Sequence, residues 1–168
     1  MTKKYIYKES ISSKKTETLF LGLMLIFLLL FIWLVNVVGF QPLTIITLCL
    51  FLFFLFYVFN YRILHICITM NALSLKFGIF TWAVPFDNVA SCVLDDNLPP
   101  LMKNGGAGIH FFTFEKRYRA SFNFLEYPRV VIALKIPKGP VKDISFSTRQ
   151  PDEIIQLIQK AISERRQS

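Results

Sequence analysis

Apolar positions follow three different rhythms along this chain, and each rhythm predicts a different kind of element. From residue 18 to residue 61 there is no Asp, Glu, Lys or Arg in 44 consecutive positions. As one helix that run would measure about 66 Å, roughly twice the ~30 Å hydrocarbon core of a bilayer. Two spans use the length well, and the punctuation Gly39-Phe40-Gln41-Pro42 divides it into 19–38 and 43–59. A secretory leader has a shorter apolar core and a small-residue cleavage site, and neither pattern is present. A buried soluble hairpin carries a polar stripe at helical spacing, and this run has none. Trp33, Tyr57 and Tyr61 suit the interfaces.

After residue 61 the rhythm becomes period two, in short runs bounded by turn residues. Strands are expected at 62–69, 73–80, 84–94 (bent), 108–114, 117–125, 130–135 and 142–147. The expected breaks are Met70-Asn71, Thr81-Trp82, the stretch 95–107, Glu115-Lys116, 126–129 and 137–140. Within 117–125, Tyr118, Ala120, Phe122 and Phe124 alternate with Arg117, Arg119, Ser121 and Asn123, which predicts one buried and one wet face. At the end the period lengthens again. Pro151 suits the first helical position, and Asp152 and Glu153 suit the first turn. Ile154, Leu157, Ile158, Ala161 and Ile162 then form one apolar stripe. The expectation is about seven antiparallel strands in a sandwich or partly open barrel, closed by a C-terminal amphipathic helix.

Charge adds an orientation. Residues 1–17 hold five lysines against two glutamates, Arg62 follows the second span, and the connection between the spans is uncharged. The positive-inside rule then places both termini in the cytoplasm of a multi-pass cell-membrane protein. The resulting layout is a basic N-terminal tail (1–18), a transmembrane hairpin (19–60), a cytoplasmic domain (61–163) and a C-terminal tail (164–168). Cys49, Cys67 and Cys92 form no C-x-x-C pair and read as small buried hydrophobes in a reducing compartment.

The stretch 68–92 resembles the opening of bacterial membrane-flanked pleckstrin-homology-like domains. There a second strand ends in Gly plus an apolar residue, and a Val-Pro step leads onward. The matching positions are Lys76-Phe77-Gly78-Ile79 and Val84-Pro85-Phe86-Asp87-Asn88-Val89, with a similar closing Gln150-Pro151-Asp152-Glu153. Two spans before the domain are also similar to that family's layout. The resemblance implies a pleckstrin-homology-like fold and a membrane-tethered binding role. The lipid-binding form of that fold clusters Lys and Arg on the first hairpin. Here the hairpin is Thr69-Met70-Asn71-Ala72, so a phosphoinositide ligand is not implied.

The search for chemistry returns little. Only His65 and His110 are available as histidines, and His65 reads as a mid-strand surface or satisfied side chain. Asp87, Asp95 and Asp96 have no second acidic cluster to complete a cation site, and 104–110 lacks the Gly-Lys-Ser/Thr of a phosphate loop. No catalytic or metal residue and no cofactor is expected, so the chain reads as a non-enzyme. Two candidate surfaces remain. One is a partner-docking loop: Leu98, Pro99, Pro100, Leu101 and Met102, with Lys103, Gly105, Gly106 and His110 beside them. Strand parity directs it away from the bilayer. The same parity brings Trp82, Lys116, Arg117, Lys138 and Lys142 to anionic headgroups. The expected function is a binding or scaffolding domain displayed at the cytoplasmic membrane surface. Its partners are the bilayer and a protein, another copy included, with nucleic acid not expected. The alternative is a structural subunit of a larger membrane complex, held through the spans.

Overall fold

A computed structural model describes residues 5–96, 107–124 and 126–167. Strand β1 (Tyr5–Ser12) precedes helices α1 (Lys14–Val38) and α2 (Pro42–Asn60). Eight strands follow: β2 (Ile63–Thr69), β3 (Ala72–Phe77), β4 (Phe80–Pro85), β5 (Val89–Leu94), β6 (Gly108–Phe114), β7 (Arg117–Asn123), β8 (Arg129–Lys138) and β9 (Val141–Ser147). Helix α3 (Pro151–Gln167) closes the chain.

The two long helices form a hairpin, turned at Gly39 with its φ of 73°. The Ser13 hydroxyl caps α1 by accepting the Thr16 N–H at 3.1 Å, and Pro42 opens α2. At 25 and 19 residues, both are long and apolar enough to cross a membrane. Phe27 stacks on Phe54 at 5.4 Å and Phe20 meets Tyr57 at 5.0 Å along the seam. Their other faces, with Leu29, Ile32, Trp33, Ile45 and Leu52, are apolar and exposed.

The β strands make two sheets, ordered β1-β2-β3-β4 and β5-β8-β9-β7-β6. Every neighbouring pair is antiparallel except β7 with β9. Leu64, Ile66, Leu75 and Phe77 of the first sheet face Ala120, Phe122, Ile132 and Phe146 of the second across one core. Helix α3 seals it with Ile154 and Ile158 fully buried and Leu157, Ala161 and Ile162 packed alongside, as the stripe predicts.

Three expectations are corrected. Tyr5–Ser12 is a strand within what reads as a basic tail, pairing with β2 from Ser12↔Ile63 to Tyr5↔Thr69. Ile11 is its buried anchor, and the Glu9 carboxylate accepts from the Thr148 hydroxyl and the Arg149 N–H. Lys8 falls on the opposite face, so the charge that reads as a topology signal also belongs to a sheet.

The second correction is the strand count, which is nine rather than about seven. The turn lies at Gly78-Ile79, not at Thr81-Trp82, and the expected bent strand is split by a single 3₁₀ turn at Phe86–Asn88. One added strand reverses the direction of everything after it. Strand β5 therefore runs back toward the helical hairpin instead of away.

The third concerns β7, whose polar face is buried rather than wet. Arg119, Ser121 and Asn123 are all shielded, and Arg119 and Ser121 are bonded to polar partners on the same face. The Arg119 guanidinium bonds Asp95 at 2.8 Å and lies 5.0 Å from the Phe114 ring centre. The Ser121 and Ser145 hydroxyls pair at 2.6 Å.

Candidate functional site

The β sandwich has a hairpin end and a far end, and contacts to the helices identify which is which. At Gly78 the φ is +53°, and a Cβ there would lie 2.6 Å from the Asn60 carbonyl oxygen, so β3 turns directly against the end of α2. The Asn60 side chain accepts the Ile79 N–H at 3.4 Å. A Cβ on Gly108 would lie 3.3 Å from Tyr61, which brings the start of β6 to the same end. The Tyr127 hydroxyl donates to the Ser12 carbonyl at 2.9 Å, and Arg62 pairs with Glu17 at 3.2 Å. At the far end Arg165 of α3 donates to the Met70 carbonyl and to Asn71, clasping the β2–β3 turn.

The outer face of the first sheet carries a groove of about 810 Å³. Antiparallel register sorts its lining into rows. His65, Lys76 and Thr81 form the lining row nearest the hairpin, with Ser10 paired beside His65 outside the groove, and Lys8, Cys67, Ser74 and Ala83 form the next. Tyr5, Thr69 and Ala72 continue toward the far turn, with Met70 and Asn71 at the rim. The floor is small and weakly polar, and no acidic side chain lines it among the described residues. The Ser10 hydroxyl and His65 Nδ1 are 2.8 Å apart. Among the described residues no carboxylate bonds the imidazole, and the Ser10 contact fixes the orientation of the ring.

The sequence-predicted positions scatter relative to this groove. Leu98, Pro99, Pro100, Leu101, Met102, Lys103, Gly105 and Gly106 lie outside the described residues. Their flanks, Asp95 and Ala107, lie at the hairpin end: Asp95 donates its N–H to the Arg129 carbonyl, and Gly108 abuts Tyr61. His110 is half-buried, and burial together with nearby Arg129 lowers its pKa from the ordinary histidine value, with the Ala107 backbone acting in the opposite sense.

Trp82 faces the core edge, 6.3 Å from Phe122. The Lys138 ammonium lies 4.7 Å from the Trp82 ring centre. Lys116, Arg117, Lys138 and Lys142 belong to the β6–β7 and β8–β9 turns, at the end of the sandwich away from the helices. Arg117 is moreover engaged by Asp143 at 2.6 Å, which raises its pKa further.

Lys8 and Lys76 were missed as site residues. Their signal is modest: they fill alternate positions of β1 and β3, and their common face appears only once β1 is recognised as a strand. Cys92 is buried and its thiol is pushed up to about 12, so it is chemically quiet.

Comparison with protein-family models, with curated proteins and with solved structures returns no match to this chain. The likeness to pleckstrin-homology-like domains therefore stays with the motif residues that carry it.

Proposed function

We propose that this chain is a non-enzymatic, two-span membrane protein whose β domain is a pleckstrin-homology-like binding module held at the cytoplasmic surface. The observation that carries the reading is the pairing of β1 with β2. One strand enters α1 and the other leaves α2, so the sheet closes over the open end of the hairpin and cannot swing free of it. Apolar helix surface left uncovered around the hairpin supports insertion, since such a surface is stable in hydrocarbon. Lys14, Lys15 and Arg62 flank the β end of the helices while the Gly39 turn is uncharged, which supports a cytoplasmic domain. A tether of this kind raises the effective concentration of the groove toward ligands in the same membrane.

The test exchanges residues 19–59 for an unrelated two-span hairpin and compares crosslinked partners from native membranes. A binding module keeps its partner set after the exchange. Loss of every partner from a correctly folded chimera transfers the function to the spans and supports the subunit alternative.

A further inference from the structure

The outer face of the first sheet changes character along its strands. Nearest the hairpin it is mostly apolar: Ile63 and Ile79 are exposed, Ile79 at 72%, beside an exposed Phe59 at the end of α2, with Ser12 opposite Ile63. One pleat farther on, about 7 Å along β2 and β3, stand His65 and Lys76. Lys8 follows one pleat later, opposite Cys67. Among the described residues neither lysine has an ion-pair partner. The headgroup layer of a bilayer is about 5–7 Å deep on each side of the hydrocarbon. The step from the apolar row to Lys76, directly beside two bilayer-length helices, matches that layer in depth and in sign, while Lys8, one pleat farther, meets it only through the reach of its side chain.

We propose that the groove holds the headgroup of an anionic lipid drawn from the leaflet the helices occupy. Lys76 and Lys8 supply the charge, the Ser74 and Thr81 hydroxyls donate hydrogen bonds, and Ile79 rests among the glycerol and upper acyl groups. The proposal depends on the reading of α1 and α2 as spans. It assigns lipid contact to residues that the strand-parity expectation left out, and leaves the lysines of the far turns in water.

The test uses the full chain in nanodiscs of equal parts phosphatidylcholine and phosphatidylglycerol, with lipids retained after release identified by native mass spectrometry. The wild-type chain retains phosphatidylglycerol preferentially. Each of Lys8→Gln and Lys76→Gln lowers that preference roughly five-fold, Lys76→Arg restores it, and the control pair Lys138→Gln/Lys142→Gln leaves it unchanged. Equal retention in the wild type and the Lys8→Gln/Lys76→Gln chain overturns the proposal, as does a loss shared by the control pair. Displacement of the lipid by a polyglutamate peptide at equal charge concentration also overturns it, in favour of an acidic protein segment. A chain that fails to float with vesicles in a density gradient instead overturns the two-span reading, and the lipid proposal with it.

Discussion

Gly78 shows how one residue can join two parts of this molecule. Its positive φ suits a residue without a Cβ, and the space a side chain would need is filled by Asn60. Replacement by Val is expected to cost about 1–3 kcal/mol, measured as a lower thermal midpoint in detergent. An unchanged midpoint would mean that the β3–β4 turn does not bear on α2. The Arg119–Asp95 pair poses a different question, because both side chains are almost fully buried, at 6% and 4% exposure. Removing one partner alone, as in Arg119→Met, leaves the buried Asp95 carboxylate with only the nearby Arg129 charge among the described residues and is expected to cost about 3 kcal/mol. Replacing both, with Asp95→Leu added, is expected to recover only part of that loss in a double-mutant cycle, because Arg129 then loses the Asp95 charge. His110 contributes a pH dependence. Its folded pKa is depressed, so the unfolded chain binds the proton more readily and stability falls as pH drops below the ordinary value of about 6.5. The stability contributed above that value is lost progressively toward the lower folded pKa. His110→Gln is expected to flatten the melting-point profile over that acidic window, and a profile unchanged by the substitution would remove His110 as the cause.

At the level of elements, the helices were legible and the strand count was not. Residues 19–38 and 43–59 announce themselves because lipid forbids charge throughout a continuous run, a local and unambiguous demand. Helix α3 is equally plain, since its stripe and its Pro151 start are written in adjacent turns. The β3–β4 turn was hidden because its residues, Phe77, Gly78, Ile79 and Phe80, are mostly apolar. Turns that face water are polar; this one meets the end of α2, where Phe80 stacks parallel to Tyr61 at 6.2 Å. Its chemistry follows its surroundings, so it read as strand interior. Strand β1 was hidden by the lysines around it and by its separation from its partner, for the two helices intervene before β2 appears. The strand is nevertheless part of the core. Ile11→Asp would place a carboxylate at a fully buried position and is expected to cost about 3 kcal/mol or more, with faster proteolysis of the whole sandwich. Ser12→Asp, on the exposed face of the same strand, is the matched control and should leave proteolysis unchanged.

For the whole molecule, the added strand β4 changes which strand ends meet the helical hairpin. With β4 present, the loop flanks Asp95 and Ala107 meet the hairpin end, and Lys116, Arg117, Lys138 and Lys142 occupy the opposite end. The groove of the first sheet then becomes the cationic surface beside the helices, and the candidate site is a product of topology more than of any local motif. Spin labels at positions 79, 76 and 116, placed one at a time in a chain lacking its native cysteines and reconstituted into vesicles, measure this directly through their accessibility to oxygen and to a water-soluble relaxant. The account predicts the label at 79 in the apolar layer, the label at 76 at headgroup depth and the label at 116 fully in water. A label at 116 that contacts the bilayer while the label at 76 remains in bulk water would contradict it.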